Sequence, residues 1–130
     1  MPGCILRVTG ASFEVDAFLA STSLSPYHVW RAGEAGMRNH IHKESGFKVD
    51  VSAVDGELPG QIKDALAFLR RHQTDLAHLA HFPGVDDKRL DFGWARREVV
   101  VQSDYLPPEL LFEAGMLGIG IEVSLYPDGD

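Results

Sequence analysis

The chain has one cysteine, Cys4, and no lysine or arginine beyond Arg97. A lone thiol excludes an internal disulfide and fits a cytoplasmic location. No apolar run approaches the ~20 residues that a helical membrane span needs. Met1-Pro2-Gly3 leads directly into a short apolar strand, without the basic and then long apolar segments of a signal peptide. Low-complexity tracts and long polar tails are also missing, which argues against wholesale disorder. There is no Walker loop, Rossmann fingerprint, nucleophile elbow or His-Glu-x-x-His pattern, so no catalytic signature stands out and no cofactor is expected. What remains is the profile of one globular domain, residues 1–130, with 45% hydrophobic and 24% charged residues.

The charge is unevenly placed. Nineteen acids face twelve bases, for a formal net charge of -7. From Glu98 to the end there are seven acids and no base, whereas the preceding residues balance. This asymmetry predicts one negative surface that attracts a basic protein and repels nucleic acid. The basic pairs Arg70-Arg71, Lys88-Arg89 and Arg96-Arg97 do not form a stripe with exposed aromatics, and with a pI near 5.2 they read as solvated faces and turns. Within the acidic segment, Glu109, Glu113 and Glu122 are the candidate partner-binding residues.

Periodicity predicts the elements. Cys4 to Thr9 reads as a strand, and Gly10-Ala11 breaks it. Ser12 is a candidate N-cap for a short helix carrying Val15, Phe18 and Leu19, with Ser25-Pro26 as its stop. Tyr27 to Arg31 is a second strand, and the polar, glycine-containing stretch from Ala32 to Ser45 is a long loop. Phe47 to Ala53 alternates strictly, as a half-buried strand should. After a turn at Asp55-Gly56, Leu58, Ile62, Leu66 and Leu69 keep helical spacing. Leu76, Leu79 and Ala80 continue it as one long helix or as two broken near Gln73. Leu90, Phe92 and Trp94 mark a strand, and Arg96-Arg97 turns into a further one at Val99 to Gln102. Pro107-Pro108 opens a helix that ends at Gly118, a natural residue just past a helix end. Ile119 to Leu125 alternates as the final strand.

Several strands have one apolar and one polar face. The expected class is therefore α+β: two layers, with a mostly antiparallel or mixed sheet and helices on one side. A ferredoxin-like core with an inserted helical segment is the specific expectation. A doubly wound sheet is disfavoured, because its strands would be apolar on both faces.

Few residues invite chemistry. His40 and His42 are two apart, so in an extended segment their rings point the same way and could share a metal. His78 and His81 share a helical face. Neither pair has a third ligand at a recognisable spacing, so no metal is expected. Gly33-Glu34-Ala35-Gly36 has the bare form of an RNA-clamping loop, but Glu34 would oppose the phosphates. Cys4 starts an apolar strand without charges that would activate its thiol. Trp30 and Trp94 both read as core aromatics. Trp30 leads into the polar loop, where a ring can anchor an interface together with Arg31 and Glu34.

Phe13 to Leu19, Ser25-Pro26 and His28-Val29-Trp30-Arg31-Ala32-Gly33-Glu34 together resemble the opening of a bacterial family known as domain of unknown function 4279. Pro108-Glu109-Leu110-Leu111, Met116-Leu117-Gly118 and the strand ending at Tyr126 resemble the family's closing helix and strand. Leu106-Pro107, where a polar cap would be expected, and the histidine-rich middle depart from it. The resemblance implies a compact bacterial α+β domain and no agreed activity. Small domains of this type often look like immunity proteins. The expectation is thus a non-enzymatic, cytoplasmic protein-binding domain that neutralises a partner such as a basic toxin, with no nucleic acid or membrane involved. The alternative is a small-ligand or metal-binding protein, or an enzyme, using the loop around Arg31, Glu34, His40 and His42. A homo-oligomer assembled through an open sheet face is a third expectation.

Overall fold

Alternating apolar residues build the sheet from its centre. In a computed structural model that describes residues 3–54 and 57–127, Cys4, Leu6 and Val8 of strand β1 (Cys4–Gly10) are fully buried. They pack beside Phe47 and Val49 of β3 (Ser45–Ser52) and Leu90, Phe92 and Trp94 of β4 (Asp87–Ala95). The short β2 (His28–Trp30) pairs with β3, and β5 (Gly120–Tyr126) pairs with β4. The order is β2-β3-β1-β4-β5, with β4 and β5 parallel and every other neighbouring pair antiparallel.

Four helices cover one face of this sheet: α1 (Val15–Ala20), α2 (Leu58–Arg71), α3 (Gln73–Ala80) and α4 (Pro108–Met116). Their buried side chains, among them Phe18, Leu69, Leu76, Leu79 and Leu110, close a single core over the apolar side of the strands. The fold is α+β with an open mixed sheet. Strands β1 to β4 have the order and antiparallel pairing of a ferredoxin-like unit. The inserted helix α3 and the α4–β5 extension are added to it. None of the described helices is long and apolar enough to cross a membrane.

Three local expectations need correction. Helix α1 starts at Val15, after Glu14, and not at a Ser12 cap. Phe13 is buried against Phe18, Phe47 and Phe82, which holds residues 11–13 in a turn before the helix begins. Helix α1 also ends at Ala20, ahead of Ser25-Pro26. The segment Val99 to Gln102 is not a strand, and its three valines are exposed. The edge of β4 that it would have paired with is occupied by β5. The Asp55-Gly56 turn, together with Asp128 and Asp130, lies outside the described residues.

Two buried features fix the layers against each other. Gln61 of α2 is fully buried, and its Nε2 donates to the carbonyls of Val54 and Gly93 at 2.9 Å each. Its Oε1 accepts from Trp94 Nε1 at 3.0 Å. Gly118 ends α4 at φ 70°. Ile119 N donates to Ala114 O and Gly118 N to Gly115 O, the double bond of a Schellman cap. This cap turns the chain straight into β5 and buries Ile119.

Candidate functional site: a cationic row on the helix-free sheet face

Among the described residues, no α-helix covers the other face of the sheet. Successive side chains of a strand alternate between faces, so Arg7, Thr9, Lys48, Asp50, Arg89, Asp91 and Glu122 all point there. The registers align them in rows. Lys48 stands opposite His28 on one side and Arg7 on the other, and Arg7 also stands opposite Arg89. One level along, Asp50, Ile5, Asp91 and Glu122 form a largely acidic row. The level on the other side of the cations is Trp30, Gly46, Thr9 and Asp87.

Like charges directly opposite on neighbouring strands destabilise a sheet. Arg89 is relieved by a two-point pair with Asp87, at 2.7 and 2.9 Å, and by Glu122 at 3.4 Å. Among the described residues, no carboxylate lies within ion-pair distance of Arg7, Lys43 or Lys48. Arg7 and Lys48 are therefore neighbouring cations without a direct ion pair among the described residues, on a surface of a net acidic protein.

Trp30 forms the wall beside them. It is buried as expected, with 9% of its surface exposed, but on the helix-free side and apart from the main core cluster. Trp94 does belong to the core. The indole of Trp30 lies flat across the sheet because its cross-strand neighbour is Gly46. A Cβ there would stand 2.5 Å from the Trp30 ring and 2.4 Å from the carbonyl oxygen of Val8. His28 stacks on the indole at 5.2 Å between centroids, and Lys48 Nζ lies 5.9 Å from its centre.

The stretch expected as a loop is a compact hairpin. Gly33 N donates to His42 O at 2.8 Å and His42 N to Glu34 O at 2.9 Å. Ala35 and Ile41 form a bridge. At the tip, His40 N donates to Met37 O, and Arg38 and Asn39 both have positive φ, 56° and 61°, as in a type I′ turn. The hairpin brings His42 to 6.2 Å from Trp30 and His40 to 6.1 Å from His42. Arg7, Thr9, His28, Trp30, His40, His42, Lys43, Glu44 and Lys48 together line an open cleft of about 410 Å³.

No protein-family model matches this chain, and neither does any curated protein or solved structure. The site is therefore read from its own geometry.

Of the residues singled out in the sequence, Trp30, His40 and His42 are brought together. Arg31 and Glu34 are not part of the cleft lining. Arg31 makes a two-point pair with Asp16 of α1 at 2.7 and 2.8 Å, and its backbone N–H donates to Glu34 Oε1. These two residues anchor the hairpin base to α1. No three described His, Cys, Asp or Glu side chains converge on one point as metal ligands would. His78 packs against the rings of Phe18 and Phe82. Burial pushes the Cys4 thiol far above its ordinary range, which leaves it unreactive.

The acidic segment does not form one face. Glu109 and Glu113 are on α4, in the helical layer, and both approach Arg70, Glu113 at 2.7 Å. Glu122 points to the opposite side of the sheet and pairs with Arg89. Asp104 pairs with Arg97. Basic residues from earlier in the chain thus neutralise much of the acidic stretch. Arg7, His28, Lys43 and Lys48 were missed because strand register, which places residues 7, 28 and 48 side by side, is not visible in a linear pattern. The signal that would have found them is the alternation of β1 and β3, which puts Arg7 and Lys48 on their polar faces.

The exposed ion pairs predict an acid response. Hydrogen bonding to Arg31, Arg89 and Arg70 holds the carboxyls of Asp16, Asp87 and Glu113 below their ordinary range. A carboxyl lowered in the folded state stabilises the fold above its unfolded pKa, and that stability is lost as pH falls through the folded value. Thermal midpoints should therefore fall on acidification below the ordinary carboxylate range. Arg89→Gln should flatten that fall in a melting series against pH.

Proposed function

We propose that this protein is a non-enzymatic binding domain for a small anionic molecule carrying a phosphate or carboxylate group, held in the cleft on the helix-free sheet face. The observation that supports this reading is the unpaired Arg7–Lys48 juxtaposition. Two cations side by side cost the apo fold stability, and an anion bridging them would remove that cost. A guanidinium offers a planar fork to such a group, and ammonium groups add point charge. Lys43 on the hairpin supplies a further cation, and the imidazoles of His28, His40 and His42 supply polar edges. The cleft volume suits a small molecule. Of the acids that a role in masking a basic protein would draw on, Asp104, Glu109, Glu113 and Glu122 are already paired with Arg97, Arg70 and Arg89.

The reading makes two effects of one substitution differ in sign. Arg7→Gln removes charge-assisted hydrogen bonds to the anion, so pyrophosphate affinity in calorimetric titration should fall about tenfold to a hundredfold. The same change removes two like-charge oppositions. Stability without ligand should then be unchanged or rise by up to about 1 kcal/mol. An equal affinity in the two proteins, or a large loss of apo stability, would contradict a site held ready for an anion.

A further inference from the structure

Strand β5 is an edge strand, with β4 on one side and, among the described residues, no strand on the other. Natural edge strands are protected by charged side chains, above all lysine, by proline, by a bulge or by very short length. In Gly120–Tyr126 the one charge, Glu122, is engaged by Arg89 on the helix-free face, and the other protections are missing. The strand is seven residues long, contains no lysine, arginine or proline, and runs along β4 without a register shift. Val123 is 39% and Leu125 57% exposed.

The direction of its free backbone groups follows from one hydrogen bond. Arg96 N donates to Tyr126 O, so the Tyr126 backbone faces β4. By alternation the backbones of Ser124, Glu122 and Gly120 face β4 as well. Those of Ile121, Val123 and Leu125 turn their N–H and C=O groups outward, without a backbone partner among the described residues.

We infer that this edge pairs antiparallel with β5 of a second copy, about a twofold axis at Val123, and joins two sheets into one. In that register Val123 meets Val123 of the partner subunit, and Ile121 meets Leu125 of the partner subunit. These are the residues whose backbones face outward, so each pair exchanges both of its hydrogen bonds. Their side chains share the helical side of the sheet, where apolar meets apolar. On the opposite face, Glu122 meets Ser124 of the partner subunit and Gly120 meets Tyr126 of the partner subunit, so an aromatic ring covers a glycine. No like charges face each other. A seven-residue strand that is complementary to itself in hydrogen bonding, apolarity and charge meets the requirement of an isologous interface.

Helix α4 extends the same border. Glu113 faces α2 through Arg70, and Leu111, about 200° round the helix from it, lies on the flank away from α2 with 46% of its surface exposed. The anion cleft lies over β1 to β3, at the far end of the sheet. A twofold axis perpendicular to the sheet leaves both clefts open on one surface. The pairing stands independently of what the cleft binds.

Sedimentation equilibrium of the full chain tests it. The wild type should shift reversibly from monomer to dimer mass as concentration rises. Val123→Lys and Val123→Glu each place like charges at the axis, so each should stay monomeric while melting cooperatively. Mixed in equal amounts, they should pair again. Ser124→Lys, which sets an ammonium opposite the partner's Glu122 at two symmetric places, should tighten the dimer about tenfold. A wild type that stays monomeric at all concentrations would overturn the proposal. So would a dimer that folded Val123→Lys leaves intact, or failure of the two folded charge variants to pair when mixed.

Discussion

Replacing Gln61 with leucine is expected to cost about 3–5 kcal/mol of folding stability, read as a drop in the chemical denaturation midpoint. The side chain is fully buried and satisfies three groups at once: the carbonyls of Val54 and Gly93 and the indole N–H of Trp94. Leucine is of similar size, so packing changes little. Each group left without a partner costs about 1–3 kcal/mol. Gln61→Glu tests the same network differently, because it keeps the acceptor for Trp94 and loses the donors to the two carbonyls. It should be destabilised as well, with a penalty that shrinks at low pH, where a protonated carboxyl can donate again. A leucine variant as stable as the wild type would mean that water or a local shift replaces these bonds.

The second large effect falls on Gly46. A Cβ at this position would meet both the Val8 carbonyl and the Trp30 ring at less than 3 Å, and the carbonyl is backbone that cannot swing aside. Gly46→Val should cost at least about 3 kcal/mol through overpacking. It should also lift the indole off the sheet and disorganise the wall that Trp30 makes with His28 and Lys48. Pyrophosphate binding should be abolished in whatever fraction remains folded. Trp30→Gly in the Gly46→Val background separates the two causes. It should recover part of the stability, because space is returned, and none of the binding.

The sheet was readable where alternation was strict. Phe47 to Ala53, Leu90 to Trp94 and Ile119 to Leu125 show the period of a half-buried strand, and Phe47, Val49, Leu90, Phe92 and Trp94 do lie in the core under the helices. Gly118 was readable as a helix end because only an unhindered residue suits its positive φ. The valines at 99–101 misled for a physical reason. An apolar β-branched run has the local chemistry of a strand but becomes one only if a sheet edge is free, and β5 had taken the edge of β4. Ser12 was a sound local cap overridden by the burial of Phe13 next to it.

The site divides the same way. Trp30, His40 and His42 were accessible to sequence reasoning because they are close together in the chain. Arg7 and Lys48 were not, because their meeting depends on antiparallel register between β1 and β3. Arg31 and Glu34 read as interface candidates in a polar loop, and Asp16 from α1 claims the arginine. The acidic last quarter shows the limit of linear charge patterns. The segment passes from a helix on one side of the sheet to a strand whose carboxylate faces the other, and Glu113 and Glu122 each meet a basic residue from elsewhere in the chain.

The most direct test of the anion-binding account is an amide and indole nuclear magnetic resonance titration of the full chain with pyrophosphate. The account predicts saturable shifts confined to the cleft: the Trp30 indole N–H, the amides around Arg7 and Lys48, and the hairpin residues His40 to Glu44. Absence of any saturable shift would contradict it. So would shifts centred elsewhere, for example on the separate cleft between β3 and α2 lined by Asp64, Arg71 and His72.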